Sequence, residues 1–482
     1  MELDVSESVP DWIMTLTRCA ASSCALLLLA ACADTDGPLG PVACDAPVIV
    51  LSEAVANPAN VLSSVVTVTT TFADSVAVRY GEAGSSIDST TPAVVPNDNS
   101  SVVPVLGLRP STGYAMQVVA YNDCAQSTGA SLQFTTGALP ADLPSYTAAG
   151  TDPSPGYVVF AAGSYGLAID NTGRVVWYHR FTNGPGLNFE VQPNGTYMAK
   201  PAGTGAAPGA DLVEVRPLGT VRPLGCSGAL PARVHDFIGR PDGSYWLMCD
   251  EVRTVDLTAI GGEPNAQVQG TVIQNISFNG AVLFSWSPFD HFAIGPSVFA
   301  ETLAGSPVFN WTHGNALDLD SDGNLLVSFR NLHEVTKINT STGAVIWRMG
   351  GAENQFTFEP GSGTGFTGQH GLRATGSARL LLLDNIGDPQ DSRAERYEFD
   401  EGQRTVRLTA SYASSPAIVG RLGGSTQSLP GGRTLVSFGN GGRVEEYDAS
   451  GNVVWRIEGN PGYIFRAQRI RSLYSPGVGD PR

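Results

Sequence analysis

The sequence predicts an all-β protein in which a small β-sandwich precedes a β-propeller of about six blades. Three observations carry this reading. The 482 residues include 56 Gly and 32 Pro, a density of turn formers that suits many short strands. No long segment spaces its apolar residues at i, i+3, i+4, i+7, as the buried stripe of a surface helix would. From about Thr151 onward one unit recurs: a strand, an Asp-Gly or Asn-Gly turn, a second strand, then a strand ending on an aromatic residue. Only 15% of residues are charged and the net charge is −17. Such a surface repels nucleic acid, and an anionic ligand would need a local cationic pocket.

Residues 1–13 are acidic and unlike the start of an export signal. From Met14 the pattern changes to M-T-L-T-R-C-A-A-S-S-C-A-L-L-L-L-A-A-C. Arg18 supplies the positive start, and the apolar run Cys24 to Ala31 is too short to span a bilayer, so it reads as a signal core. It ends in Leu29-Ala30-Ala31-Cys32, which resembles a bacterial lipobox, where the thiol is lipidated and the chain is cut just before it. An ordinary secretory signal is the alternative, and both export the protein. The expectation is a signal over 1–32 with Met14 as its start, lipid on Cys32, a tether over 33–43, and anchoring to a bacterial membrane on the periplasmic or cell-surface side.

The cysteines agree with export. Apart from Cys19, Cys24 and Cys32, four remain, Cys44, Cys124, Cys226 and Cys249. An even number in an oxidising compartment allows two disulfides, and the expected pairing is Cys44 with Cys124 and Cys226 with Cys249. No C-x-x-C is present, so a thiolate metal site is not expected.

Over 44–137 the runs V-T-V-T-T-T-F and S-V-A-V-R-Y alternate as strands do. V-L-G-L-R-P-S-T-G-Y-A-M-Q-V-V-A-Y, from Val105 to Tyr121, resembles the E–F corner of a fibronectin type III sandwich, with Leu108 and Tyr114 as its anchors. This module carries no cluster of titratable groups and reads as a spacer or docking domain. Residues 138–150 read as linker.

Over 151–482 the recurring unit includes G-L-A-I-D-N-T-G-R-V-V-W, H-D-F-I-G-R-P-D-G-S-Y-W-L-M, L-D-L-D-S-D-G-N-L-L-V-S and Y-D-A-S-G-N-V-V-W. Val175-Val176-Trp177, Val345-Ile346-Trp347 and Val453-Val454-Trp455 are near copies. About 330 residues at some 50–60 per unit give about six blades. The strand around Ile464 to Leu473 is expected to close the ring.

The stretch Trp311 to Asn385 concentrates the polar residues that chemistry needs. Of six histidines, three sit in His235-Asp236-Phe237, His313-Gly314-Asn315 and Gln369-His370-Gly371, each beginning an equivalent repeat strand. Strands that start alike in different blades face one channel. Arg330, at the end of the strand after His313, would join them there. Taken singly, each histidine reads more readily as a cap for loop carbonyls, and it is the three in register with Arg330 that point to a site.

H-x-N at 313–315, S-F-R at 328–330, T-G-A-V-I-W at 342–347, F-x-x-Q-H at 366–370 and Asp384-Asn385 together resemble the bacterial arylsulfotransferase family. H-D-F at 235–237 and F-D-H-F at 289–292 extend the resemblance, which covers most of 151–482. It implies a six-bladed propeller that moves a sulfuryl group from a phenolic sulfate ester to another phenol. It implies ping-pong transfer through a sulfated histidine, with no nucleotide donor, no cofactor and no metal. By motif, His370 would be the nucleophile, and His235, His313, Asn315 and Arg330 would line the sulfuryl pocket. Gln369, Asp384 and Asn385 would lie on its substrate side. Tyr165 is the candidate for the tyrosines this family places at the pocket mouth, and Gly424-Ser425-Thr426-Gln427 reads first as a turn.

The residue types suit that reaction on their own. A neutral imidazole meets less repulsion from a sulfate ester than a carboxylate would. Arg330, Asn315 and a histidine N–H can hold the charge on the peripheral oxygens. A second histidine can serve the phenol proton, either His235 or His313. Two other readings stand beside this one: a three-histidine zinc hydrolase built on His235, His313 and His370, and a non-catalytic extracytoplasmic propeller that only binds.

Overall fold

The computed structural model describes residues 44–182, 184–201, 211–295, 307–387 and 390–482. The signal, the Cys32 lipid site and the 33–43 tether lie outside the described residues. Strands joined by turns and three-residue 3-10 segments make up the described chain, with no α-helix among them.

Two antiparallel sheets form the first module. One holds Val48–Ala56, Ser63–Thr71 and Ser100–Leu106; the other holds Ser89–Thr90, Ser75–Glu82, Gly113–Tyr121 and Gln126–Thr135. The alternation read in the sequence buries Val66, Val68, Val76, Val78, Val103, Val105, Leu108 and Met116 between the sheets. At the corner the backbone N–H of Arg109 donates to the Tyr114 hydroxyl at 2.8 Å. The module is docked on the larger C-terminal part of the chain. Asn60 Nδ2 donates to the Tyr178 carbonyl at 3.0 Å, and the Leu106 N–H donates to the Tyr474 hydroxyl at 3.2 Å.

The rest of the described chain is a β-propeller built from six antiparallel sheets. The second to sixth begin with Gly186–Val191, Ala232–Gly239, Gly314–Leu319, His370–Gly376 and Ser425–Leu429. Each first strand touches that of the next sheet, and the series returns to the first sheet. The first sheet takes Ala467–Ile470, from the C-terminal side, beside Tyr157–Ala162. The sixth takes Ala148–Gly150 beside Val453–Ile457, so the last residues of the stretch that reads as linker are part of a sheet.

The repeated tryptophans explain themselves here. Trp177, Trp286 and Trp455 lie buried on fourth strands. Each reaches the outer hairpin of the next sheet: their indole N–H groups donate to Pro217 O at 2.8 Å, Gly343 O at 3.0 Å and Asn171 O at 2.9 Å. A large ring with one donor both fills the gap between sheets and pins their spacing. Trp347 packs buried against Phe356 and Phe399.

Cys226 and Cys249 form a disulfide, and Cys44 and Cys124 are disulfide-bonded as well. The Cys226–Cys249 bond ties the entry of the third sheet to its second strand. Replacing both by Ser is expected to cost about 2–5 kcal/mol, by freeing a 23-residue loop in the unfolded chain. Urea unfolding of oxidised wild type against the variant measures it; equal midpoints would make the bond dispensable.

Candidate active site

Side chains from one inner strand bridge to the backbone of the next. Asn188 Nδ2 donates to His235 O at 3.1 Å, Leu317 N–H to Asp236 Oδ2 at 2.9 Å, and Asn315 Nδ2 to Gln369 O at 2.6 Å. The Thr426 hydroxyl donates to Gly371 O at 2.8 Å, and Val191 N–H to Gln468 Oε1 at 2.8 Å. The residues 425–427 that read as a turn are therefore strand. These bridges fix the inner strands in register, and register decides where the histidines point.

Three histidines come together. The His235 and His313 rings are 4.9 Å apart, and His235 and His370 are 6.4 Å apart. Phe465, absent from the sequence reading, lies under them at 5.6 Å from His235 and 6.4 Å from His370. His313 adopts φ +46°, a left-handed backbone that β-strand geometry would not supply. Gly371, next to His370, has φ +61°, and a Cβ there would meet Ser425 Cα at 2.6 Å. The approach of fifth and sixth sheets at the nucleophile candidate thus requires glycine.

Hydrogen bonds assign the His370 tautomer. Asn385 Nδ2 donates to Gly420 O and Gly423 O, which leaves Asn385 Oδ1 facing His370 Nδ1 at 2.8 Å. Gly368 O lies 3.1 Å from the same nitrogen. Both neighbours accept, so Nδ1 carries the proton and Nε2 keeps its lone pair. At His313, Asn310 Nδ2 lies 2.7 Å from Nδ1.

Burial keeps these rings uncharged. His370 is drawn down to about 3, first by burial and then by the Arg330 cation, against the opposing pull of Asn385 and Gly368 O. His235 and His313 are held well below their usual value by burial and then by the Arg233 cation. The unfolded chain therefore binds more protons below about pH 6.5. The stability these groups contribute is complete above that value and is lost as pH falls from 6.5 toward 3. Acid titration of the His370 ring followed by NMR should therefore show no midpoint near 6.5, and a midpoint there would mean a solvated ring.

Arg330 caps the strand after His313. Its guanidinium donates to Asn331 Oδ1 at 3.0 Å and to Arg421 O at 3.3 Å. His333, also left-handed at φ +53°, accepts the Gly368 N–H at 2.8 Å and so holds the loop that ends in His370. Gln369 points its amide into the fourth sheet, donating to Ser328 Oγ at 3.0 Å and Glu334 O at 3.1 Å. Asp384 accepts the Thr367 and Ile386 N–H groups and brackets the same loop, its pKa pushed up to about 6 by burial. Tyr165 is buried in the first sheet with its hydroxyl donating to Asp142 at 2.8 Å. His179 and His291 pack against Phe181 and Trp286. Four buried atoms around the histidines have no hydrogen-bond partner among the described residues: His235 Nδ1, Asn310 Oδ1, Asn315 Oδ1 and Gln369 Oε1.

Beneath the histidines sits a buried ion network that sequence reading missed. Arg373 pairs with Asp236 at 2.7 Å and Glu190 at 3.2 Å; Arg466 pairs with Glu190 at 2.8 Å; Arg482 pairs with Asp318 at 2.9 Å. Arg466 also donates to His235 O at 2.8 Å. Burial pushes Glu190 up against the pull of Arg466, while burial of Asp236 is outweighed by Arg373 and Arg466, which hold it low.

Fold and site together define a propeller protein with a buried, cation-flanked histidine pocket. Residues 232–460 match the family model described as Arylsulfotransferase (ASST). Solved structures resemble the chain at low identity. A protein of unknown function from Bacteroides caccae is 12% identical, covers 66% of this chain and 100% of its own, with TM-score 0.42. Virginiamycin B lyase from Staphylococcus aureus, solved as an inactive variant with quinupristin, is 9% identical over 64% and 87%, with TM-score 0.35. Apo AztD from Citrobacter koseri is 11% identical over 64% and 96%, with TM-score 0.32. No curated protein matches the chain.

Proposed function

We propose that this protein transfers a sulfuryl group from an aryl sulfate to a phenol by a ping-pong route through His370. The observation that carries the reading is a proton-free His370 Nε2 in a buried cluster with His235 and His313. The family match supplies the phenolic substrate class. In the first half-reaction His370 Nε2 donates its lone pair to sulfur, and the S–O bond to the aryl group breaks. The phenolate leaves with that bonding pair and is protonated by His313 or His235. The sulfuryl oxygens face Arg330, the local cation an acidic protein needs for an anion. In the second half the acceptor phenol attacks sulfur, its proton goes to whichever of His313 and His235 gave one to the departed phenolate, and Nε2 recovers its pair. Asn315, Gln369, Asp384 and His333 hold the strand and loop that present His370.

The disulfides support export, and no helix of the described residues is long and apolar enough to cross a membrane. We place the protein outside the cytoplasm, held by lipid on Cys32. The sandwich over 44–137 we read as a fibronectin type III-like module, and the six sheets as a closed six-bladed ring.

The test mixes protein from about Ala33 onward with p-nitrophenyl sulfate, with and without phenol. Acceptor-dependent nitrophenolate release is the expected result. Release without acceptor would indicate hydrolysis and prompt a search for metal, and no turnover with any phenol would leave the binding-module reading.

A further inference from the structure

Beside the site runs a loop that the reaction itself does not use. Between the fifth and sixth sheets the chain runs Val419-Gly420-Arg421-Leu422-Gly423. Its backbone is tied to the catalytic residues: Gly420 O and Gly423 O accept from Asn385, and Arg421 O accepts from Arg330. Its side chains face the other way. Val419 and Leu422 are 41% and 54% exposed, and Tyr463, whose ring lies 6.3 Å from Phe465, is 45% exposed. Gly423 has φ +66°, and a Cβ there would meet the Tyr463 hydroxyl at 2.6 Å and Phe465 at 2.9 Å. Loop and rings are thus in direct contact. Phe465 packs against the buried histidines and against Tyr463, and Tyr463 meets the loop at Gly423, next to the exposed Leu422. Arg421 is exposed beside it and makes no ion pair among the described residues, in a chain whose net charge is −17.

Resting on the sulfuryl-transfer reading, we propose that this rim selects aryl substrates that carry a second anionic group. The ring of such a phenol lies on Tyr463 and Leu422, with its hydroxyl toward His370 and its remote carboxylate or sulfonate at Arg421. An apolar wall alone would take any phenol of the right size. A single exposed cation at its outer edge adds a preference that depends on charge and is screened by salt.

The experiment compares two acceptors of nearly equal shape, 4-hydroxyphenylacetate and neutral 4-hydroxyphenylacetamide, with p-nitrophenyl sulfate as donor. Wild type should favour the acid in kcat/KM by about two- to fivefold at low salt, the range an exposed charge pair supports. Arg421→Gln should abolish the preference and Arg421→Glu should invert it, with turnover of the amide unchanged. Leu422→Ser should raise KM for both acceptors and leave kcat in place. No preference in wild type, or one that survives both Arg421 substitutions, overturns the proposal. If wild type turns over neither acceptor, it is the transfer reading that falls. The rim is then read by calorimetric titration of the two compounds into wild type and Arg421→Gln, and equal affinities for acid and amide in wild type overturn it.

Discussion

His370→Ala is expected to lower acceptor-dependent nitrophenolate release by about 10³-fold or more, because on the proposed route it removes the atom that takes up the sulfuryl group. The ring is buried, so the substitution also leaves a cavity and costs about 1–3 kcal/mol of stability. Two readouts separate chemistry from folding. Added imidazole should restore part of the rate to the Ala variant, since Asn385 and Phe465 still border the hole. Intact-mass analysis of wild type with donor alone should show one added sulfuryl group that the variant lacks. Full activity in His370→Ala would end the assignment.

Asn385 carries the second large effect. Its amide is clamped by Gly420 O and Gly423 O, so it can only accept from His370. Asn385→Leu removes that acceptor and lets the ring rotate or shift its proton to Nε2, which blunts the nucleophile. A loss of about 10²–10³-fold in kcat is expected, the scale of a mispositioned or wrongly protonated base. Asn385→Asp should behave differently. A carboxylate still accepts from Nδ1, but it stabilises the positive charge the ring carries once Nε2 holds sulfur. Sulfated enzyme should then accumulate, and the second half-reaction should become limiting. Rapid-quench mass analysis would show this as a higher fraction of modified protein than in wild type. If both variants lose activity equally with no accumulation, Asn385 acts only through packing.

The ring of sheets was legible because its signals are local. Asp-Gly turns, alternating strands and the V-V-W closures each lie within about a dozen residues, and repetition multiplied them. His235, His313 and His370 were legible as a group for the same reason, since each lies in or just before the first strand of its sheet. What each neighbour does was not. Asn385 is visible in the sequence, but its role depends on carbonyls 35 and 38 residues away. Phe465 reaches His235 from a distant part of the chain, and Arg373 reaches Glu190 across 183 positions. No periodicity announces such contacts. His333 hides differently, through a left-handed backbone that no L-residue pattern signals. Asn315 and Gln369 show the converse. Their residue types suit an anion pocket, yet Asn315 Nδ2 and the Gln369 amide nitrogen bind neighbouring backbone.

The placement of Ala148–Gly150 and Ala467–Ile470 has a mechanical side. Each end of the propeller segment is stitched into a sheet belonging to the other end, and the sandwich is fastened to Tyr178 and Tyr474 close by. Tension entering from the N-terminal side would therefore meet the sandwich contacts and the Ala148–Gly150 ladder before it reached any strand that bears a histidine. Strand hydrogen bonds pulled along their length share load rather than unzip one by one. A molecule held on one side and buffeted by flow or by a crowded surface would keep its pocket in shape until that outer seam failed as a whole.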